Sequence, residues 1–543
     1  MVFARRSTTL LAAIIASCAM VLSLTACTSD NKTVVDGQTT VTSNSAGGVA
    51  VFTPSDGITL NQQMPLNKWA KLVPDLTKAL VDAGFKKGDI NHTTSDSLDK
   101  QSRAIQDFVV DHLSNNTTDD SGIAIAPDNM TLLVAPVVEA DASTRQYGDY
   151  ISQNLSTNDA TDEGATSDGE SSEDDSSKDD SSNTESDSTA SDEQAQAVDR
   201  LVSSLKLAKE SGMHVVLLGN SIEGYKPDAF VKFSDAQTIG KLQAEKMVSK
   251  LKLDKASKDN PKYIEVLLPY TAVDEKGNAN DSTFAQEAFR GIWQVLGSYY
   301  QKGVVESPSG TLDGKSTEND WQAVAYDAAK EGSTAKVLDK RLAKTDGQST
   351  LTRIDGIITM NDYIASEVVK ELDDLGYTGS AADINPQITI SGIVGNITGK
   401  KDLSRDAVPD PIKSPENDNA NDSSSSDDDA DEDTSASDKD RDSQWPLVTG
   451  YGAHVSNIPS IVNGKQWMTG MEDRQTIATD IAQACAKLNK DEALNSMPSI
   501  RNSEVGGVKK IPTISEPLLA VSASNLKSAL IDPGYISLAD AGL

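Results

Sequence analysis

Short apolar runs alternate with amphipathic helical stretches along most of this 543-residue chain, and that alternation restricts the fold more than any other feature. Val49–Thr53 reads as a strand, followed by a helix carrying Trp69, Leu72, Val73, Leu76 and Leu80. Leu98–Leu113 reads as a second helix, with Ile105, Phe108 and Val109 facing inward. Thr131–Ala135 is the next strand, Val198, Leu201, Val202 and Leu205 mark a helix, and Val215–Leu218 is a strand again. The pattern continues through Tyr263–Leu268, the Ala285–Tyr300 helix, Ile354–Met360, the Ala365–Leu375 helix and Gln387–Ser391. Strands alternating with helices build parallel sheets covered on both faces. Open parallel sheets hold ligands beyond the carboxyl ends of their strands, so function is expected there.

Two acidic stretches interrupt the pattern. Residues 159–193 hold 14 acidic side chains and one lysine, and residues 416–442 hold 12 against Lys439 and Arg441. They carry −23 of the formal net charge of −33, so the remainder of the chain is ordinary for a large soluble body. Both are rich in Ser, Asp and Glu and poor in large apolar side chains, too little to offset the entropy of ordering, so 157–195 and 404–444 are read as disordered inserts. Neither has the Asp-x-Asp-x-Asp-Gly order of a calcium loop. The negative balance excludes nucleic acid as a partner. About four hundred residues remain, enough for two domains with full cores.

At the start, Arg5 and Arg6 precede an apolar run from Leu10 to Leu24, too short to cross a bilayer and ending in small residues. Leu24-Thr25-Ala26-Cys27 resembles a bacterial lipobox. The resemblance implies removal of residues 1–26 and a diacylglycerol on Cys27, placing the protein at the extracytoplasmic face of the cell membrane. The alternative is an ordinary signal peptide with a chance cysteine. Residues 27–47 are polar, without apolar period, and read as a flexible tether with a reach of roughly 25 Å.

Catalytic chemistry finds no candidate. His92, His112, His214 and His454 make no pair at metal-ligand spacing. Neither a Gly-x-Ser-x-Gly elbow nor a phosphate-cradling Gly-x-x-x-x-Gly-Lys-Ser/Thr loop occurs. Cys485 shares a helical stripe with Ile477, Ile481 and Leu488 and reads as a core thiol. No metal or cofactor is expected, and the chain is not read as an enzyme.

More specific is Phe230-Val-Lys-Phe-Ser-Asp-Ala-Gln-Thr-Ile-Gly-Lys-Leu-Gln-Ala244, preceded by Ala208-Lys-Glu-Ser-Gly-Met-His-Val-Val-Leu-Leu218. With Lys68-Trp69, Asp320-Trp321, Asn361-Asp362, Gly464-Lys-Gln-Trp-Met-Thr469, Glu516-Pro517-Leu518 and Asp532-Pro-Gly-Tyr535, it resembles the type I periplasmic sugar-binding proteins, most nearly the xylose-binding branch. The resemblance implies two Rossmann-like lobes joined by three crossovers, near Asn220, just after Gly392 and near Pro512–Pro517. The lobes would comprise 48–220 with 446–512, and 221–392 with 513–543. A small, sugar-like solute in the cleft and an ABC permease in the membrane would be the partners.

Most sugar-contact positions that the family implies are changed here. The loop after Pro136 reads Val137-Val138-Glu139, the family's arginine falls on Asn220, and its Asp-Asn-Asn-Ala on Ser282-Thr283-Phe284-Ala285. Its Gln-Asp falls on Ile393-Val394. Asp362 and Asn361 survive, Asp362 either as a cleft contact or as a helix cap. Trp69, Phe284 and Trp321 offer stacking surfaces or core packing; Trp467 reads as core. The candidate ligand-binding set is therefore Asp362, Asn361, Asn220, Trp69, Thr283, Phe284 and Trp321, with Cys27 for lipidation. Two functions stay open: delivery of a solute to an ABC importer, or a non-transport interaction or sensory lipoprotein that has lost sugar binding. Both acidic tracts follow expected strand ends, so they are expected to screen the cleft rim or hinge.

Overall fold

In the computed structural model, residues 32–35, 38–41, 46–55, 65–115, 126, 129–138, 144–157, 185–273, 280–343, 351–381 and 445–543 are described. Cys27, the signal segment, Glu139, Gln387–Ser391, Gly392, Ile393-Val394 and most of both acidic tracts lie outside them. The chain divides into two units, 1–44 and 45–543. In the first, within the stretch read as a tether, Lys32–Val35 and Gln38–Val41 pair antiparallel.

Two sheets organise the second unit. The first has seven strands in the order 500–505, 508–515, 229–232, 214–218, 130–134, 48–54 and 90–95. All its pairings are parallel except 500–505 with 508–515. The second has six, in the order 305–306, 262–266, 356–358, 447–451, 468–471 and 519–522, with only the last pair antiparallel. Met130–Val134 is buried at every position, as a central parallel strand covered on both faces must be. The Trp69–Asp82 and Arg474–Leu488 helices cover one face of the first sheet, and Leu98–Asn115 with Glu185–Glu210 the other. The Ala236–Leu251 and Thr283–Gln301 helices cover one face of the second, and Ser333–Arg341 with Asp362–Asp374 the other. These are the two Rossmann-like lobes of the type I periplasmic-binding-protein architecture.

Among the described residues the chain passes between the two sheets three times, at 233–235, 472–473 and 516–518. Two of these places differ from the expected ones. Ala229–Lys232 pairs with His214–Leu218, so the first lobe extends past Asn220 to Lys232. Leu447–Tyr451 pairs with Gly356–Ile358, so 446–471 belongs to the second lobe and the second crossover follows Met471, not Gly392. The reason is an insertion whose ends meet. Ala381 N–H donates to the Gly464 carbonyl (2.9 Å) and Trp445 Nε1–H to the Lys465 carbonyl (2.7 Å), so the chain leaves and re-enters the second lobe at one turn. That turn precedes the Met468–Met471 strand, so the two described residues that flank 382–444, Ala381 and Trp445, lie together at the amino ends of the strands. The Glu185–Glu210 helix begins within the stretch read as the first insert.

Candidate ligand cleft

The carboxyl ends of both sheets converge on a segment absent from the sequence-derived set, residues 144–151. It leaves the first lobe after the Met130–Val134 strand and returns to it where Asn154-Leu155 pairs with Ser221-Ile222. Between these points it packs against both lobes. Tyr147, 1% exposed, belongs to the core of the second lobe, its ring 4.8 Å from Phe284 and 6.3 Å from Tyr451. Tyr150, also 1% exposed, belongs to the core of the first, stacked on Phe233 at 4.7 Å and edge-on to Trp69 at 5.0 Å. Its hydroxyl donates to the Lys68 carbonyl at 2.6 Å. One turn of chain thus drives a tyrosine into each lobe.

Polar contacts fix the turn. Asp149 accepts from Lys68 Nζ at 2.7 Å and from the Trp69 N–H at 3.1 Å, at the start of the Trp69–Asp82 helix where backbone donors lack intrahelical partners. The Asp149 N–H donates to the Asn67 carbonyl at 2.8 Å. Gly148 has φ +97°, and a Cβ there would lie 2.6 Å from Asn67 O, so only glycine fits. On the other side, Asn361 Nδ2 donates to Gln146 Oε1 at 3.1 Å. His454 Nε2 faces the Gln146 carbonyl at 3.2 Å and therefore carries the proton.

The candidate residues now sort by contact. Trp69, Phe284 and Asn361 all touch this segment. Trp69 is packed between Tyr150 and Phe233 and has no free face to offer a ligand. Asn361 is fully buried, and its side chain also caps the Asp362–Asp374 helix by accepting from the Ile364 N–H at 2.9 Å. Asn220 braces the base of the segment, donating to the Pro136 carbonyl and accepting from the Gln153 N–H, both at 2.9 Å. Thr283 and Trp321 stand apart. Thr283 is exposed and bonded to Asp281, and Trp321 lies edge-on to Tyr270 at 5.2 Å.

Asp362 is neither the cap nor a cleft contact. Its carboxylate is fully buried inside the second lobe, accepting from Gln466 Nε2 (2.7 Å), the Thr469 hydroxyl (2.8 Å) and the His454 N–H (2.9 Å). Burial pushes its pKa up and that of His454 down, while their mutual attraction opposes both shifts. Leu447–Tyr451 is the strand beside Gly356–Ile358, and its last residue lies at the same carboxyl end as Asn361; Ile393-Val394 lie outside the described residues. Tyr451 is fully buried there, against Tyr147.

Two crossovers are tied together beside this cluster. The Ser234 N–H donates to Glu472 Oε1 at 2.6 Å, and the Ser234 hydroxyl bonds Tyr451 Oη. Burial pushes the Glu472 pKa up to about 7, with Asp235 adding repulsion and the Ser234 bonds opposing. The folded chain thus keeps a proton that the unfolded chain releases near pH 4.5. Stability from this group is present below pH 4.5 and declines as pH rises to 7, by roughly 3 kcal/mol in all. Glu472→Gln is expected to remove that decline, read as urea-unfolding free energies at pH 4.5 and pH 8.

Other sequence readings resolve simply. Cys485 is fully buried in the first lobe's core, and burial pushes its thiol well up. Trp467 lies in the second lobe's core. His112 is buried against Phe108. Sequence reasoning missed Lys68 as an ion-pair partner and Gln146, Tyr147, Gly148, Asp149 and Tyr150 altogether. The available signal was Tyr-Gly-Asp-Tyr, two aromatic rings around a glycine in an otherwise polar connection.

No family model and no curated protein matches the chain. Among solved structures it is similar to an ABC transporter solute-binding protein from Clostridium phytofermentans with bound β-D-glucose, at 16% identity and TM-score 0.44, over 91% of this chain and 99% of that one. A carbohydrate transporter solute-binding protein from Chloroflexus aurantiacus, in complex with D-glucose, gives 18%, 0.42, 92% and 98%. A periplasmic ribose ABC transporter protein from Conexibacter woesei gives 12%, 0.41, 90% and 96%. The fold of this chain rests on the strand order of its two sheets.

Proposed function

We propose that this protein is a membrane-anchored, extracytoplasmic interaction protein on a sugar-binding-protein scaffold, with its cleft filled by residues 144–151. The observation that carries this reading is Tyr147 in one lobe and Tyr150 in the other, with Asp149 bonded to Lys68 and Gly148 pressed against Asn67 between them. A sugar needs a polar partner for each buried hydroxyl, at about 1–3 kcal/mol for each one left unmatched. Here Asn220 and Asn361 already serve the chain's own backbone and side chains. Capture of a sugar-like solute for an ABC permease is the second reading, favoured by the two-lobed, three-crossover architecture itself. It requires residues 144–151 to leave the cleft. Mass spectrometry of small molecules released on denaturing freshly purified protein separates the two. The first reading expects none, whereas a stoichiometric sugar establishes the second.

Anchoring rests on Leu24-Thr25-Ala26-Cys27. Two acyl chains on Cys27 hold a protein at a bilayer far more firmly than one, each buried methylene adding about 0.8 kcal/mol. Cys27→Ala is expected to move the protein from the membrane pellet to the soluble fraction, read by immunoblot after fractionation.

A further inference from the structure

We propose that the space between the lobes is a peptide-recognition site, and that its ligand class is a short segment with two tyrosine rings flanking a Gly-Asp turn. The chain's own residues 145–151 are the copy that occupies it. This rests on the cleft assignment made under the proposed function and adds the chemistry that the cleft selects.

The contacts are those by which proteins read peptides: main-chain hydrogen bonds for binding, side-chain pockets for selection. Main-chain groups of the segment bond both lobes, the Asp149 N–H to the Asn67 carbonyl and the Gln146 carbonyl to His454 Nε2. Each lobe contributes one aromatic pocket, Phe284 with Tyr451 for the first ring and Trp69 with Phe233 for the second. Between the rings, Asp149 is read by charge, through Lys68 Nζ and the Trp69 N–H. The residue before it is read by size, since Asn67 leaves no room for a Cβ at Gly148. Four consecutive positions are thus specified, two by aromatic packing, one by size and one by charge.

Tethering explains how such a site is controlled. A segment joined to its site by short connections competes at an effective concentration in the millimolar range. An outside segment of the same class therefore gains entry only when the tethered copy is displaced or weakened.

The test uses the full chain with residues 145–150 replaced by a Gly/Ser stretch of equal length, its fold checked by circular dichroism and cooperative urea unfolding. A synthetic peptide covering Thr144–Ile151 is titrated calorimetrically, beside versions carrying Gly148→Val and Asp149→Lys. Expected are one-to-one binding, a rise in melting temperature, and at least about tenfold weaker binding by both altered peptides. Absence of saturable binding up to about 1 mM by a cooperatively folded variant overturns the proposal, as does equal binding by the altered peptides. If the replaced chain does not fold, the full chain carrying Tyr147→Ala, Asp149→Ala and Tyr150→Ala, whose tethered copy lacks both rings and the carboxylate, serves as host, and the same results support or overturn the proposal. D-glucose and D-ribose are titrated into the unaltered protein in parallel. Sugar binding there refutes the cleft reading, whereas failure of the peptide alone refutes only its ligand class.

Discussion

Replacing Tyr147 and Tyr150 together with alanine is expected to cost roughly 5 kcal/mol and to loosen the two lobes from each other. Truncating one large buried aromatic costs about 3–5 kcal/mol through lost burial and the cavity left behind. Both rings are nearly inaccessible, and each sits in a different lobe core. The double loss falls short of additive, because the rings are three residues apart on one turn and share its anchoring. The lobes should then be held by the crossovers, by Leu66 packed among Ala453, Ile458 and Met471, and by the Leu66 N–H to Gly452 carbonyl bond. Urea unfolding reads the stability, and small-angle X-ray scattering reads the lobes through an increased radius of gyration. A variant that loses the energy without any change in scattering would place the rings in separate cores with no bridging role.

Asp362→Ala is expected to cost about 4 kcal/mol without changing what the cleft binds. Removing the carboxylate leaves the Gln466 amide, the Thr469 hydroxyl and the His454 N–H without their shared acceptor, at about 1–3 kcal/mol for each stranded group. Gly450 presses against the same carboxylate, where a Cβ would sit 2.2 Å from Asp362 Oδ1, so the local packing is built around it. The Asp362–Asp374 helix keeps its cap, because Asn361 supplies it. Chemical denaturation measures the loss. A stable Asp362→Ala protein with altered ligand binding would restore Asp362 to the cleft surface.

The lobes were legible because alternation of short apolar runs and amphipathic helical stretches survives local noise. Val49–Phe52, Met130–Val134 and His214–Leu218 are near-continuous apolar runs that only a doubly covered sheet accommodates. Crossovers were harder. Nothing in the local pattern says which sheet Ala229–Lys232 or Leu447–Tyr451 joins, since both are short apolar strands and pairing is a non-local choice. The crossover expected after Gly392 came from the family resemblance, whereas the residues flanking 382–444, Ala381 and Trp445, meet at Gly464-Lys465 within one lobe. The cleft was half legible. Trp69, Asn361 and Phe284 came from the family resemblance, but their partner is a loop segment whose placement depends on filling two pockets at once. Asp362 shows the limit of carrying a role across by position: the same strand end points its carboxylate into a lobe once His454, Gln466 and Thr469 surround it.

Isothermal titration of the intact protein with D-glucose, D-ribose, L-arabinose and myo-inositol tests the central claim, that the chain's own residues 144–151 take the place of a ligand. With Tyr147 and Tyr150 seated, the account predicts no saturable heat up to about 1 mM of any of these solutes, since each would compete with a tethered occupant. Saturable one-to-one binding of any of them at micromolar concentration, with the segment intact, would contradict it.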